Sequence, residues 1–437
     1  MASLLPFRAI HYQPGRLQDT ASVLDEPHRW LEAARRRPDR EPGGEPGEAA
    51  EAAPGVPGPD GATHHVSQLY RDWNGAQLAR WLQEGYLASF PEETLYVYRQ
   101  TRPVPAELRL DPRLPEQATW TGFVGVLQGA SPAGVRLAEP VADDRWQALG
   151  PVLRAFACEF SPVAALFGPR GAGFARAVEL LQQAIQRPPD LELSGPGDSR
   201  HQLWALDPQA AQAARDSLAS LPVAVVEGGE WWQAALATAS GILAVVCPVQ
   251  GEGLAPLLLP VHRLLAGSHG LDDRAVAERA SRFFRLLAPA APEVPAAMAE
   301  LGKLAGEFNG FVLYRSGGRV ELVRSKGRMF MESWTHPLGR AAWRSLEVNL
   351  LHALLLERAL GIPVQTSRLG QPPVMLESDP RRAMERVEEG EAVAAFLLPA
   401  LSPLAVWQAA VDNNPLPAGA LRLWPPPGVG MVLRRRR

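Results

Sequence analysis

The sequence predicts an α+β fold in two lobes built on mixed sheets, and three observations indicate it. Short runs rich in β-branched residues alternate with amphipathic segments of helical period over residues 66–270. The pattern restarts at about Asp272 with a helix and a hairpin. A polar segment without apolar periodicity, residues 35–65, interrupts the first part. We therefore expect an N-terminal lobe of residues 1–34 and 66–270, an insertion of residues 35–65, and a C-terminal lobe of residues 271–437.

The composition limits the classes of protein to which the chain can belong. Its 437 residues allow two or three domains, and 46% hydrophobic with 21% charged residues are typical of a globular protein. A net charge of −3 gives no overall positive field for nucleic acid. The two cysteines, Cys158 and Cys247, exclude a disulfide framework and a cysteine-rich zinc site. The longest apolar run, residues 392–407, is too short to span a bilayer, and MASLLPFRAIHYQPGR lacks the pattern of a secretory signal. We expect a cytoplasmic protein with no membrane and no nucleic-acid partner.

The N-terminal lobe is expected to open on a strand and to continue with mixed helices and strands. Apolar residues at helical spacing between Leu69 and Leu82 predict a helix that Gly85 ends. Alternating β-forming residues, as in TLYVYRQ and WTGFVGVLQ, predict strands. In chain order the expected elements are a strand at 4–13, a helix at 27–34, a helix at 69–82, strands at 94–100 and 120–128, a helix at 143–157, a strand at 160–167, a helix at 175–186, a strand at 201–206, a helix at 208–218, and strands at 223–226, 241–249 and 255–264. The last two are continuously apolar, which is typical of a central sheet.

Residues 35–65 read RRRPDREPGGEPGEAAEAAPGVPGPDGATHH, and between Pro38 and Gly61 the only large aliphatic residue is Val56. Such a segment cannot bury enough apolar surface to offset its ordering entropy. We expect a disordered surface insertion. A proline-rich ligand for a partner domain is the alternative.

The C-terminal lobe is expected to hold an amphipathic helix after about Asp272, a hairpin, two further helices and a strand. FVLYRSGGRVELVRS predicts a hairpin that turns at residues 316–318. LEVNLLHALLLERALGI predicts an apolar helix that Gly361 ends, and Asp379 followed by Pro380 predicts the cap of another before the strand AVAAFLL. The four terminal arginines, residues 434–437, are expected to be a solvated end.

Several familiar motifs are incomplete. FGPRGAGFARAVELL, residues 167–181, has a strand, a glycine-rich turn and a helix, but Phe174 and Ala175 stand where a P-loop needs Lys and Ser or Thr. The sequence contains no HExxH or HxH pattern, so we expect no metal site. Ser161 precedes Pro162 and does not lie in a Gly-x-Ser-x-Gly elbow, so a hydrolase is not indicated. His352 lies on an apolar helix and is expected to be structural.

Three short stretches carry the candidate site residues. LAEPVADDR holds Glu139, Asp144 and Arg145; LLLPVHR ends a buried strand on His262 and Arg263; and VEGGEWW holds Glu227, Gly228, Gly229, Glu230 and Trp231. A strand, a glycine turn and a helix start form the geometry that receives an anion on backbone N–H groups. Each stretch also has an ordinary explanation, as a helix cap or as surface residues.

A resemblance connects these stretches. The chain resembles, outside the insertion, a prokaryotic family known as domain of unknown function 1015. The matching stretches, in order, are PFRAIHY, LYVYRQ, the GF of WTGFVGVLQ, DR at residues 144–145, FSPVAALF, HQLW, LPVHRL, LEVNLLHALLLE, and EEGEAVAAFLL followed by LP at residues 416–417.

The resemblance implies an ancestry in nucleotide binding or phosphotransfer. The family typically carries a D-G-H-H-R-Y-E-T-A loop, similar to the phosphate-holding loop of ParB-like, sulfiredoxin-like and free-serine-kinase proteins. The N-terminal lobe would then be ParB- or sulfiredoxin-like. In the related kinases a glutamate acts as general base, and the family's P-H-E-R-T stretch puts its Glu on Glu139.

This chain departs from the family at the phosphate-handling positions. Gly229, Glu230 and Trp231 stand where the loop has His, His and Arg. Glu139 lies between Ala138 and Pro140 in place of His and Arg, and LPAGAL, residues 416–421, replaces M-P-Q-K-S-T. We therefore expect a divergent, non-catalytic member, in which Trp231 faces the former phosphate pocket. Retained residues such as Ser161 and Pro162 are expected to be structural. Binding of a small-molecule ligand is left as an open alternative.

Two alternatives remain. One is an active kinase or phosphotransferase that uses ATP or ADP with magnesium and acts on a small hydroxy compound such as serine, with Glu139 as base beside His262 and Arg263. The other is a protein-interaction module that uses the insertion and the terminal arginines. Whether the member is catalytic or not, we expect Glu139, His262 and Arg263 to converge on one cleft with Gly228 and Gly229.

Overall fold

The computed structural model describes residues 2–17, 20, 23–24, 66, 69, 75–129, 134–267, 270–304, 307–327, 340–362 and 373–436. The expected helix at 27–34 and the expected insertion at 35–65 lie outside the described residues.

The described strands alternate with helices through most of the chain. The strands are β1 (Ala2–Leu5), β2 (Ile10–Tyr12), β3 (Leu87–Ser89), β4 (Tyr96–Pro103), β5 (Gln117–Gly129), β6 (Val135–Leu137), β7 (Cys158–Glu159), β8 (Val163–Phe167), β9 (Leu191–Gly195), β10 (Ser199–Ala205), β11 (Val223–Glu227), β12 (Ile242–Pro248), β13 (Leu257–Pro260), β14 (His262–Ala266), β15 (Phe284–Leu287), β16 (Gly310–Arg315), β17 (Arg319–Ser325), β18 (Val374–Glu377), β19 (Ala392–Leu397), β20 (Leu421–Trp424) and β21 (Arg434–Arg435).

The helices are α1 (Ala76–Gln83), α2 (Asp143–Ala155), α3 (Gly173–Ala184), α4 (Pro208–Ala219), α5 (Gly229–Ala237), α6 (Asp273–Ala280), α7 (Val294–Leu304), α8 (Ala341–Arg344), α9 (Glu347–Leu350), α10 (Pro380–Glu388) and α11 (Pro403–Val411), with a 3-10 turn at Pro14–Arg16 and a π-helix at Leu351–Ala359. Several start on side-chain caps: Asp207 accepts a hydrogen bond from the N–H of Ala210, and Asp379 accepts from those of Arg381 and Arg382. No helix in the described part of the chain is long and apolar enough to cross a membrane.

The larger sheet has nine strands and is mixed. Its order is β6-β11-β8-β12-β5-β4-β10-β9, and β1 pairs with the C-terminal part of β5. The pairs β6–β11 and β8–β12 are parallel, and the other pairs are antiparallel. All seven residues of β12 are buried, as its continuous apolar run predicts for a central strand.

The second sheet has six strands in the order β15-β17-β16-β19-β14-β18, all antiparallel. It contains the expected hairpin at 311–325, whose turn uses Gly317 and Gly318 at φ of 75° and 69°. The expected α+β class is therefore confirmed, with one large mixed sheet and one separate antiparallel sheet.

Two expected strands are interrupted at proline. The strand expected at 4–13 is β1 and β2, which pair with different partners on either side of Pro6. The strand expected at 255–264 ends at Pro260: β13 pairs with β20, whereas β14 enters the six-stranded sheet. Proline lacks the N–H that would continue the ladder. The prediction of a single central strand over residues 255–264 is therefore wrong.

Of the four arginines expected to be a solvated end, Arg434 and Arg436 are largely covered, Arg435 is exposed, and residue 437 lies outside the described residues. The β21 strand pairs with β7, and both Arg434 and Arg436 bind the carboxylate of Glu159. Glu159 is 7% exposed and also accepts a hydrogen bond from the N–H of Leu243 at 2.8 Å. The C-terminal strand is thus held by a buried acceptor that the apolar pattern did not indicate.

The glycine-rich turn at 167–181 is explained by packing. Gly173 is the first residue of α3, which packs against α4. A Cβ atom on Gly173 would overlap the backbone oxygen of Ser217 in α4, and one on Gly168 would lie 2.6 Å from the indole ring of Trp407. These glycines let neighbouring elements approach closely, so packing accounts for the glycine-rich turn.

Candidate functional site

The candidate site begins where two parallel strands end at the same edge of the large sheet. Leu137 of β6 lies opposite Val225 of β11, and the N–H of Ala138 donates to the carbonyl of Val225 at 2.9 Å. Two residues beyond this register come Glu139 and Glu227. Because the strands are parallel, their carboxylates leave the sheet at the same end.

Glu139 is bound by the backbone of a distant segment. Its Oε2 accepts from the N–H of Gly419 at 2.6 Å, and its Oε1 accepts from those of Ala420 and Leu421, each at 2.9 Å. Three of the roughly four lone-pair positions of a carboxylate are therefore occupied by this chain's own backbone. Gly419 has a φ of 62°, a conformation that glycine adopts without strain and that turns the three N–H groups toward Glu139.

Opposing effects set the protonation of Glu139. Burial raises the pKa of its carboxyl to about 7, while the three N–H donors and the charge of Arg263 oppose the shift. A value near neutrality is typical of a general base, but it also follows from burial of any carboxylate.

Arg263 is completely buried and fixed by neighbours of its own. Its Nη1 donates to the carbonyl of Val261 at 2.6 Å, and its Nε donates to Nε2 of His352 at 3.0 Å. Burial lowers the pKa of Arg263 to about 10, and the charge of Glu139 opposes this shift. Within the described residues Nη2 has no hydrogen-bond partner. Arg263 therefore acts as a buried counter-charge to Glu139, and His352, as acceptor, is neutral.

His262 points to a different partner. Its Nδ1 accepts a hydrogen bond from the N–H of Leu398 at 3.1 Å, and burial lowers its pKa to about 3. At neutral pH this imidazole carries no charge. The expected pair of donors at the strand end is therefore not a pair of cations that face an anion.

The glycine turn follows β11. Gly228 has a φ of 77°, and α5 starts at Gly229 without a side-chain cap. Burial raises the pKa of Glu227, while the charge of Arg422 and the N–H of Leu423 oppose this shift. The same C-terminal segment, residues 419–423, thus meets both carboxylates at the sheet edge.

Beyond the turn, Glu230 forms an ion pair with Arg145 at 3.4 Å. Asp144, beside Arg145 in α2, is exposed to solvent. A Cβ on Gly229 would lie 3.1 Å from Val141, between Glu139 and α2. The start of α5 and the start of α2 therefore lie side by side, with acidic and basic side chains at the surface between them.

A small cavity of about 40 Å³ lies behind the glycine turn. Ser161, Glu227, Gly228, Trp231 and Pro427 are among its lining residues. Trp231 thus lines this cavity, whereas the ring of Trp232 packs against Gly129, 3.0 Å from where a Cβ atom on that glycine would stand. A ligand pocket of ordinary size is about 300–1,000 Å³, so this cavity accommodates water and not a nucleotide.

The expected site residues thus separate into three groups. Glu139 and Arg263 belong to one buried cluster, Glu227, Gly228 and Trp231 line the cavity, and the pair Arg145–Glu230 lies at the surface. Gly229 lies beside β6, since its Cβ would lie 3.3 Å from Leu137. The functional assignment of these residues stays a prediction.

The side chains of the C-terminal segment do not indicate what this segment does. LPAGAL lacks the lysine and hydroxyl groups of the family's M-P-Q-K-S-T, but Glu139 is held by the backbone N–H groups of Gly419, Ala420 and Leu421, which every residue except proline provides. The left-handed Gly419 was the one available signal. Across the described ranges, no three of His, Cys, Asp and Glu are grouped so that they could hold a metal ion.

Comparison with known proteins gives one match over most of the chain and several distant ones. Residues 64–349 match the family described as "Protein of unknown function (DUF1015)". No curated protein matches the chain. Among solved structures, a conserved hypothetical protein from Pyrococcus furiosus aligns with a TM-score of 0.32 and 11% identity over 68% of this chain and 90% of that one. Free serine kinase in complex with AMP aligns with a TM-score of 0.33 and 11% identity over 67% of this chain and 85% of that one. TM-scores this low mark distant likenesses only. The family match covers more than half of the sequence, and the chain belongs to the DUF1015 family.

Proposed function

We propose that this chain is a non-catalytic member of its family, in which residues of an ancestral phosphate site hold the C-terminal segment against the large sheet. The observation that carries the proposal is the bonding of Glu139. A general base must reach a substrate proton, but both oxygens of Glu139 accept hydrogen bonds from residues 419–421 at 2.6–2.9 Å. Glu139 is then an anchor between β6 and β20.

The charges around the glycine turn support the same conclusion. Glu227 lines the cavity, Glu230 stands at the first turn of α5, and His262, in β14, is neutral because burial lowers its pKa to about 3. At ~4 Å, a carboxylate and a phosphate charge repel by about 4 kcal/mol at an effective dielectric of about 20. Phosphoryl transfer depends mostly on electrostatic stabilisation, and this turn supplies the opposite charge.

In this proposal the chain keeps the arrangement of the ancestral nucleotide-related site but does not carry out phosphoryl transfer. The N-terminal lobe is the ParB- or sulfiredoxin-like part, and Asp144, Arg145, Ser161 and Pro162 are retained for structure. Trp231 fills the space behind the turn. The small volume of the cavity, about 40 Å³, is consistent with this filling.

A second candidate is an active kinase that uses ATP or ADP with magnesium and acts on a small hydroxy compound. One observation favours it: the pKa of Glu139 is raised to about 7, which suits a general base at neutral pH. It would require the segment 419–421 to release Glu139 when substrate binds. The two candidates therefore predict opposite results for turnover.

The experiment is a phosphoryl-transfer assay with serine as acceptor and ATP or ADP as donor, each with magnesium. We expect turnover no higher than in a protein-free control, for the wild type and for Glu139→Gln alike. Turnover in the wild type that Glu139→Gln abolishes, while the variant stays folded by circular dichroism, would establish the kinase and overturn the proposal.

A further inference from the structure

A basic cleft is formed at the C-terminal strand, and Glu139 is not among the residues that line it. It has a volume of about 680 Å³ and is lined by residues of β1, β2, β5, the turn at 239–241 and β21. Its arginines are Arg8, Arg434, Arg435 and Arg436. We call it the arginine cleft. Its volume lies within the roughly 300–1,000 Å³ of small-molecule sites.

The fold positions this positive charge. The pairing of β21 with β7 brings three consecutive arginines to the cleft, and Glu159 fixes the side chains of Arg434 and Arg436. Arg434 also donates to the carbonyl of Gly241 at 3.0 Å, which ties β21 to the turn that forms one wall. Those two guanidinium groups are therefore held in place and are not free to move with solvent.

The remaining charge of the cleft is not neutralised. Arg8 and Arg435 are exposed, and neither forms an ion pair or a side-chain hydrogen bond with the described residues. Four arginines face two carboxylates, Glu93 in the lining and Glu159 behind it. The cleft thus keeps a positive surplus in a chain whose net charge is −3.

The floor of the cleft is apolar, and one wall is the C-terminal end of α5. Leu5 and Val126, which lie opposite each other in the sheet, line the cleft with Leu82. Ala239, also in the lining, has a φ of 50°, and the N–H of Ser240 donates to the carbonyl of Ala235 at 3.0 Å. These are the features of an ordinary left-handed helix ending, which fixes the position of this wall.

We propose that the arginine cleft binds an amphipathic organic anion, with a carboxylate or phosphate head at Arg8 and Arg435 and an apolar body over Leu5, Val126 and Leu82. The cleft shares no lining residue with the cavity behind the glycine turn. The proposal therefore does not depend on whether the family site is catalytic.

The test is isothermal titration calorimetry of the full chain with four probes below micelle-forming concentration: decanoate, decyl phosphate, decanol and inorganic phosphate. We expect saturable one-to-one binding of decanoate and decyl phosphate, and at least tenfold weaker binding of decanol and of inorganic phosphate. The anion that binds more tightly identifies the head group. Absence of saturable binding by both amphipathic anions would overturn the proposal, as would binding of decanol as tight as that of the anions.

Variants locate the binding. The double substitution Arg8→Gln with Arg435→Gln should weaken the tighter anion about tenfold, because two exposed charge-assisted contacts are lost. Arg215→Gln, in a neighbouring cleft of about 780 Å³, is the matched control and should leave the affinity unchanged. Arg8 and Arg435 are exposed and Arg215 is half-buried, and circular dichroism verifies that all the variants are folded. Equal affinity in wild type and double variant would exclude the arginine cleft as the site.

Discussion

Replacing Glu139 by alanine is expected to lower the free energy of unfolding by about 4 kcal/mol. The substitution removes the acceptor of three backbone N–H groups, those of Gly419, Ala420 and Leu421, and leaves them without a protein partner in a partly buried place. Each hydrogen bond to a charged group contributes about 1.5–3 kcal/mol, and the three are not additive because they share one carboxylate. The measurement is urea denaturation at pH 8, above the pKa of about 7, where Glu139 is ionised.

Two variants control this prediction. Glu139→Gln keeps one acceptor oxygen and should lower the free energy of unfolding about half as much as Glu139→Ala. Glu116→Ala removes a carboxylate that is 91% exposed and lies 3.5 Å from Arg109, and it should cost less than about 0.5 kcal/mol. If Glu139→Ala costs no more than Glu116→Ala, Glu139 does not anchor the C-terminal segment.

The second large effect is expected at the C-terminal strand. Glu159→Ala should lower the free energy of unfolding by about 3 kcal/mol, because it leaves Arg434, Arg436 and the N–H of Leu243 without their shared acceptor. Removing one partner of a buried ion pair costs about 3–5 kcal/mol, and the arginine side chains, 21% and 14% exposed, bring the value to the lower end. Hydrogen exchange should show faster exchange of the β21 amides.

Glu192→Ala is the matched control for Glu159. Glu192 binds Arg200 at 2.8 Å, but both side chains are largely exposed, at 42% and 60%, so the loss should stay below about 1 kcal/mol. Unchanged protection of β21 in Glu159→Ala would mean that backbone pairing with β7 alone holds the strand.

Most elements of the fold could be predicted from local pattern. The helix expected at 208–218 is α4, because Pro208 after Asp207 is a strong start signal, and the run 241–249 is the buried β12. The helix expected after Leu346 exists but continues as a π-helix at Leu351–Ala359, which an apolar pattern does not distinguish from an α-helix. The partners of β13 and β14 could not be predicted, since the apolar run is continuous across Pro260.

The candidate site was less predictable because its contacts join distant parts of the chain. Glu139 and Glu227 could be assigned to strand ends, but the N–H groups that hold Glu139 lie about 280 residues away. The partner of Arg263, His352, is 89 residues away and could be identified only as a residue on an apolar helix. Neither pairing can be recognised from the periodicity of the sequence, because each uses a single side chain.

The central claim is that the family site of this chain no longer accepts a nucleotide. The direct measurement is calorimetric titration of ATP and of ADP, with and without magnesium, into the double variant Arg8→Gln with Arg435→Gln, so that the arginine cleft does not contribute. We predict no saturable binding, with any Kd weaker than about 1 mM. One-to-one binding with a Kd below about 100 µM that strengthens with magnesium would contradict the claim.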